Sequence, residues 1–439
     1  MKIPYTKNTT FTTFDKTISI TTLHQRPDRT RILEENVDDF QIPRGSGLSY
    51  VPASFGHDVL VRDLFFFNRI LEFDVKQKTV VVEPRITLKE LLGFVSKEKL
   101  YFPVLPGYPD ISIGGCVAAN VHGKNPLKYG SFKEHVIWLE LFHPRSGYRI
   151  IEPNSELFDA TCGGLGLTGI ITKVKLQLRD LPSDRITFET KKADSIMDSV
   201  EIFEKNSNAE VLYGWHNCST SSKNFGKGFV KIGLFSKGFL EETLHIPKNT
   251  PMKKTQLPIS FWGKYTTLLF NFTYRHMELN NKKTEKNIFN GFFPFTGIEQ
   301  WFFILFGKKG FRECMILVPK NNVRDFIYDL TVLLKKEKPD LHSLALKPFR
   351  GNKKFLQYCE NGLSVALDFK NSPSTSKFIP KVDELVMAYG AIPYIIKDSR
   401  LPKNVVEKCY PQYNEFRNIL KKIDPDRIFK SHISQQLGL

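Results

Sequence analysis

Apolar positions in the first 180 residues switch between two spacings. Thr79-Val-Val-Val-Glu83 is a run of β-branched residues and predicts a strand. Behind it, Leu88, Leu91, Leu92 and Val95 recur at a spacing that buries one face of a helix, and Thr87 with Glu90 forms a capping box in front of it. The pattern returns near the C-terminus. Val382, Leu385, Val386 and Tyr389 predict a helix ended by Gly390. Ile392–Ile396 then reads as a strand that delivers Lys397-Asp-Ser-Arg400 at its end. Phe416, Ile419, Leu420 and Ile423 mark a last helix, closed by Asp424-Pro425. The middle is different: strand-like runs (Met315–Val318, Ser364–Phe369) sit among polar spans (Asn217–Lys227, Glu278–Asn290) and aromatic clusters. No repeat of solenoid period occurs. The expected plan is α+β, one domain made from both chain ends with a second domain inserted between them.

Composition changes this picture little. A chain of 439 residues is long for one core and comfortable for two domains, and 41% hydrophobic with 25% charged residues describes a folded protein. The net charge of +17 favours phosphates, nucleic acid or anionic lipid, but it is spread over many lysines, as on an ordinary solvated surface. No nucleic-acid motif is present. Six scattered cysteines show no CxxC pair or zinc-ligand spacing and read as reduced thiols, and Met1–Lys7 leads into polar residues with no apolar signal core. A cytoplasmic protein is expected, with peripheral contact at the inner membrane as an option.

The 37 phenylalanines are unusual, and many fall within Ile259–Phe311. Pro294, Gly297 and Glu299 break that segment, and no stretch reaches the roughly 18 apolar residues a spanning helix needs. With Lys282-Lys283 and Lys308-Lys309 at its flanks, the segment suits either a membrane surface or lipid-like ligand, or an aromatic core around a loop.

Candidate chemistry lies in three glycine-rich segments. Gln41-Ile-Pro-Arg-Gly-Ser-Gly-Leu-Ser-Tyr50 is a strand exit followed by a loop whose N–H groups suit an anion nest, although taken alone it is an ordinary turn. It lacks the third glycine and the helix of a Rossmann fingerprint. Pro103–Asn125 concentrates glycine, proline and alanine where bulky core is usual, which suits backbone lying close to a large flat ligand, and ends in His122-Gly-Lys-Asn125. Ala160–Ile171 is the third. Three such loops inside 130 residues, each beside a strand, suggest an extended dinucleotide. Lys397 beside Asp398 and Arg400 would alone be an exposed ion-pair cluster.

Assembled, these stretches resemble the FAD-binding oxidases of the vanillyl-alcohol oxidase class, with a cofactor domain of the p-cresol methylhydroxylase type. Gly130–Val136, Gly307–Phe311, Tyr394–Arg400 and Lys421–Phe429 join the three loops in carrying the likeness, which is greatest to the branch that oxidises a polyprenylphosphoryl ribose. The resemblance implies a two-domain fold: an FAD-binding domain at 1–185, a substrate domain on an antiparallel sheet at 186–391, and a return to the FAD-binding domain at 392–439. It implies FAD held by Gly45, Ser46, Gly47, Leu48, Ser49, Tyr50, Pro106 and Gly107 around the diphosphate. Ser112, Gly114, Gly115 and Ala119 would lie along the cofactor, and Gly166, Gly169 and Ile170 at its adenosine side. Relatives that tether FAD covalently use a histidine where this chain has Tyr50, so non-covalent FAD is expected.

His122, Tyr394 and Lys397 are the implied catalytic residues, and Lys124, Lys347, Phe349, Ser364 and Ala366 the implied substrate wall. Oxidising a secondary alcohol requires an acceptor for the hydroxyl proton and positive charge where the reduced ring becomes anionic. Lys397 suits either role. Lys124 and Lys347 suit a phosphate or sugar hydroxyls. Three positions depart from the branch: Ala366 replaces a cysteine that faces the flavin, Ser364 an asparagine in the same strand, and Met315 a glutamine near the substrate. The expected function is oxidation of a lipid-linked pentose, ribose C2 to the keto form, as the first step of an epimerisation completed by a short-chain reductase partner. The alternatives are a soluble aldonolactone or alditol oxidase of the same fold, and a non-enzymatic basic binding protein.

Overall fold

The computed structural model describes residues 6–35, 39–239, 257–294 and 299–439. Met1–Tyr5, Phe295 and Gly297, which entered the sequence argument, lie outside the described residues. Strands β1 (Thr6–Thr12), β2 (Ser19–Gln25), β3 (Gln41–Arg44) and β4 (Leu60–Asp63) form a mixed sheet in the order β1-β2-β4-β3, with β4 parallel to both neighbours. The far end of the chain joins this sheet at β3: the Gln41 N–H donates to the Ile428 carbonyl at 2.8 Å, and the Lys430 N–H donates to the Gln41 carbonyl at 3.2 Å.

A second, antiparallel sheet follows from β5 (Ile70–Asp74), β6 (Thr79–Val82), β8 (Val136–His143), β9 (Gly147–Ile151) and β10 (Ile170–Gln177), in the order β5-β6-β10-β8-β9. A ribbon of β7 (Leu100–Tyr101) and β11 (Arg179–Asp180) lies apart from it. The Leu88–Val95 helix buries all four of its predicted apolar residues. Its capping box forms as expected, the Glu90 N–H reaching Thr87 Oγ1 at 3.2 Å and the Thr87 N–H reaching Glu90 Oε2 at 2.8 Å.

The third sheet has eight antiparallel strands: β12 (Arg185–Ala193), β13 (Val211–His216), β14 (Gly228–Phe235), β15 (Lys283–Asn287), β16 (Phe311–Pro319), β17 (Leu341–Phe349), β18 (Gly362–Lys370) and β19 (Ile392–Pro393). Their order is β15-β12-β14-β13-β17-β18-β16-β19. Because side chains alternate along a strand, the sheet separates two chemistries. Ile316, Val318, Val365, Leu367, Leu344 and Leu346 share the main core with Phe203, Phe326, Leu330, Phe378 and Val382 of the Ile196–Lys205, Val323–Glu337 and Pro373–Ala388 helices. On the opposite face the register aligns Glu313 with Asp368, Met315 with Ala366 and Ala345, and Ser364 with Lys347. Helices on one face and an antiparallel sheet beneath them give the expected α+β class, and no described helix is long and apolar enough to cross a membrane.

Two local expectations change. The strand forecast over Ile392–Ile396 stops at Pro393, because residues 395–397 wind into a 3₁₀ turn with the Lys397 N–H on the Tyr394 carbonyl at 3.0 Å. The preceding helix starts earlier than its periodic core, at Pro373, and does end at Gly390, whose φ of 59° lets the Ala391 N–H return to the Val386 carbonyl at 3.0 Å. All six cysteines are free and buried.

Candidate active site

The three glycine segments meet, although more than 100 residues separate the first from the last. The Ser46 N–H donates to Ser112 Oγ at 3.3 Å, which ties the first loop to the second. The third docks on the second through the Gly163 N–H to the Val117 carbonyl at 3.0 Å and the Leu165 N–H to the Ala118 carbonyl at 2.9 Å. Three of these glycines have a packing role that the sequence did not announce. A Cβ on Gly45 would lie 2.1 Å from Ser112 Oγ, one on Gly114 2.7 Å from Pro84 Cβ, and one on Gly123 3.1 Å from the Leu105 nitrogen. These glycines let protein segments pack on one another.

What faces a ligand is backbone N–H. Within the described residues, the N–H groups of Gly45, Gly47, Leu48 and Ser49 have no protein acceptor, and Ser46 Oγ is buried without a partner. Open N–H groups on a half-buried loop, with a buried unpaired hydroxyl beside them, fit a diphosphate, so the donor set suits the phosphate arm of FAD.

Beside these loops the second segment meets the large sheet. The His122 ring packs edge-on to Phe349 at 4.8 Å and lies 6.0 Å from Tyr394. Tyr394 stacks on Tyr358 at 4.3 Å and directs its hydroxyl to the Ala119 carbonyl at 3.4 Å. Tyr358 shares a hydrogen bond with Ser364 Oγ at 2.8 Å. Burial, reinforced by Lys347, Lys397 and Lys124, holds the His122 imidazole well below its ordinary range, so the ring is neutral near pH 7. Its Nδ1 lies 3.1 Å from the Gly123 carbonyl, which assigns the proton to Nδ1 and the free lone pair to Nε2.

Lys397 Nζ lies 3.3 Å from Glu313 Oε2 and 3.6 Å from the centre of the Tyr50 ring. Asp368, opposite Glu313 across the strand pair, has one carboxylate oxygen buried without a partner. Burial first, and then the Glu313 charge, push the Asp368 carboxyl well above the usual range. Lys347 is half-buried, and no ion pair to it occurs among the described residues. Burial, and then the nearby Lys397 charge, push its ammonium down to about 8.

The structure thus brings together His122, Tyr394, Lys397, Lys347, Phe349, Ser364 and Ala366. Lys124 is buried, its carbonyl accepting the Leu212 N–H at 3.1 Å. The Ile170 side chain is fully buried in a small core with Leu33, Phe142 and Phe429. The Asp398–Arg400 pair is not the exposed cluster its sequence suggests: Asp398 is buried, and Arg400 holds it at 2.7 Å while also binding Asp383. Sequence reasoning missed Glu313 and Tyr358. A lone carboxylate in the apolar run Phe311–Pro319 was a signal for Glu313; nothing marked Tyr358.

Loops that present unbonded N–H groups at one edge of a mixed sheet, beside a cationic cleft on an antiparallel sheet, define a flavoprotein architecture. Residues 38–150 match the family model described as FAD binding domain. The chain is an FAD-dependent oxidoreductase with an FAD-binding domain of the p-cresol methylhydroxylase type. It is similar, at 26% identity over 416 residues, to the decaprenylphosphoryl-beta-D-ribose oxidase of Mycolicibacterium smegmatis, covering 91% of this chain and 89% of that protein. It is also similar to L-gulonolactone oxidase 3 of Arabidopsis thaliana (24%, covering 88% and 74%). The L-gulonolactone oxidase of Mus musculus matches at 22%, covering 82% and 81%.

Proposed function

We propose that this protein oxidises a secondary alcohol of a polyprenylphosphoryl pentose, ribose C2 to the keto form, as the first half of an epimerisation. The observation that carries the reading is Lys347, a half-buried ammonium without an ion pair, on the sheet face that His122 and Phe349 adjoin. Holding such a charge costs stability, and an anionic group on the substrate offsets that cost. Similarity to the decaprenylphosphoryl-ribose oxidase supports the same class.

In this reading Gly45 to Ser49 and Ser112 hold the FAD diphosphate, and bound FAD supplies the hydride acceptor. His122 Nε2, unprotonated, takes the hydroxyl proton of the sugar. Lys397, paired with Glu313, supplies positive charge beside the ring system, and Tyr394 with Tyr358 walls the cleft. FAD is bound non-covalently, since Tyr50 is a poor tether and is committed to an aromatic cluster with Phe14 and Phe311. The division at residues 185 and 391 and a short-chain reductase partner belong to the same proposal.

A second reading, a soluble aldonolactone or alditol oxidase, draws on the gulonolactone oxidases and on the departures at Ala366 and Met315. Anaerobic mixing separates the two. Bleaching of the flavin by lipid-linked ribose, with none by free sugars, is expected, and the reverse pattern would overturn the proposal. Acid precipitation should leave the yellow colour in the supernatant; colour in the pellet would show a covalent link.

A further inference from the structure

The Lys264–Asn280 helix leaves a row of apolar residues on its outer side. Its fully or nearly buried residues are polar, Thr267 at 4% and Asn271 at 0% exposure, whereas Tyr265 is 80% exposed and Leu269 and Phe272 are 63% exposed each. Polar and aromatic contacts together hold the inner side, where Phe270 packs on Trp262 at 5.2 Å and Tyr274 on Trp215 at 5.1 Å. Thr267 Oγ1 bonds His342 Nδ1 at 2.5 Å, Asn271 Oδ1 accepts the Cys218 N–H at 3.2 Å, and Glu278 pairs with Lys231. Tyr265, Leu268, Leu269 and Phe272 recur at helical spacing and so form one outward stripe. Ile259 and Phe261 extend the patch: the Phe261 N–H donates to the Leu305 carbonyl at 2.8 Å and the Lys308 N–H to the Leu257 carbonyl at 3.0 Å, which brings the 305–309 segment alongside. A helix normally buries its apolar side, so a stripe this large on the outside marks an interaction surface.

Charge decides the partner. Lys264 adjoins the stripe, and Lys308, whose N–H reaches the Leu257 carbonyl, and Lys309 border it beside Leu257; all three are exposed. The nearby carboxylates are already used, Glu278 by Lys231 and Glu285 by Arg185. An apolar stripe with an aromatic content and a lysine border matches the interface of an anionic bilayer, where rings lie at headgroup level and lysines meet lipid phosphates. Protein interfaces, by contrast, are depleted in lysine. We infer that the outer face of this helix, with Leu257–Phe261 and Lys308–Lys309, docks the protein on an anionic membrane surface, lying in the interface without spanning it. This inference rests on the helix and goes beyond the substrate reading: a membrane-docked oxidase of a soluble sugar would show it equally.

The test is sedimentation of the FAD-loaded full chain with vesicles of phosphatidylcholine, with and without phosphatidylglycerol. Binding is expected to anionic vesicles, weakening as salt is raised, and to fall about tenfold in the double variant L269S/F272S and by a similar factor in K308E/K309E. An unchanged flavin spectrum and melting temperature check that each variant folds, and the charge pair keeps the test open should the apolar pair fail that check. Wild-type protein that stays in the supernatant with anionic vesicles, or variants that bind as wild type does, would overturn the proposal. So would a dimer in analytical ultracentrifugation that L269S/F272S dissociates, which would give the face to a second copy. Flavin bleaching by substrate in detergent reports on the active site separately, so either proposal can fail alone.

Discussion

Replacing Lys347 with Met should stabilise the protein while weakening its grip on a phosphate-bearing substrate. An ammonium moved from its ordinary 10.5 down to about 8 is less comfortable in the folded chain than in water. At about 1.4 kcal/mol per tenfold in protonation, that amounts to about 3 kcal/mol. Some solvent still reaches this half-buried side chain, so about 1–3 kcal/mol is the range to expect. Met keeps the apolar stem and removes the charge.

The pH dependence gives the sign. Below pH 8 both folded and unfolded chains carry the proton, and the folded state bears the whole penalty. Between about 8 and 10.5 the folded chain has lost a proton that the unfolded chain keeps, so wild-type stability rises with pH there. Urea unfolding of wild type and Lys347→Met, with FAD saturating, should therefore show the variant ahead by about 1–3 kcal/mol at pH 7, with the gap closing toward pH 10. Groups common to both proteins cancel in the difference. A variant less stable than wild type at pH 7, or a gap that does not change with pH, would refute the reasoning. In the same preparations kcat/KM for a phosphate-bearing substrate should fall by more than about tenfold, the weight of one charge-assisted contact.

Other consequences follow from single positions. Since His122 is neutral when folded, the unfolded chain alone takes up its proton below about pH 6.5, and stability should decline with falling pH; His122→Gln should flatten that decline in acid titrations followed by circular dichroism. A limb near pH 6.5 in kcat that His122→Gln removes would contradict the depressed imidazole. Thr87→Ala deletes the cap of the Leu88–Val95 helix and should cost about 1 kcal/mol in urea unfolding. At Gly169, φ is 141° and a Cβ would stand 2.7 Å from the Phe142 carbonyl oxygen, so Gly169→Ala should cost about 2 kcal/mol or more and lower the melting temperature by several degrees.

Much of the cofactor side was legible along the chain because its signals are local. A capping box spans four residues, and each glycine loop announces itself beside its strand. The function of those glycines was not legible. That Gly45 exists to admit Ser112, and Gly123 to admit Val104 and Leu105, depends on which segments cross. The Ile392–Ile396 run reads as a strand, yet only two residues pair at the sheet edge before the chain turns to place Lys397 over Tyr50.

The sequence alone determined the element types, the α+β class and the residue kinds available for flavin chemistry, since periodicity, caps and turn residues act over a few positions. Tertiary structure decided which charges meet. Glu313 and Asp368 lie 55 positions apart and face one another only because β16 and β18 pair in one register. Electrostatics falls off with distance in space, not along the chain, so Lys347 and His122 acquire their shifted protonation equilibria only once the sheet has formed. The same holds for the Lys264–Asn280 helix: its residues set its period, but which side faces outward was decided by the polar and aromatic partners beneath it.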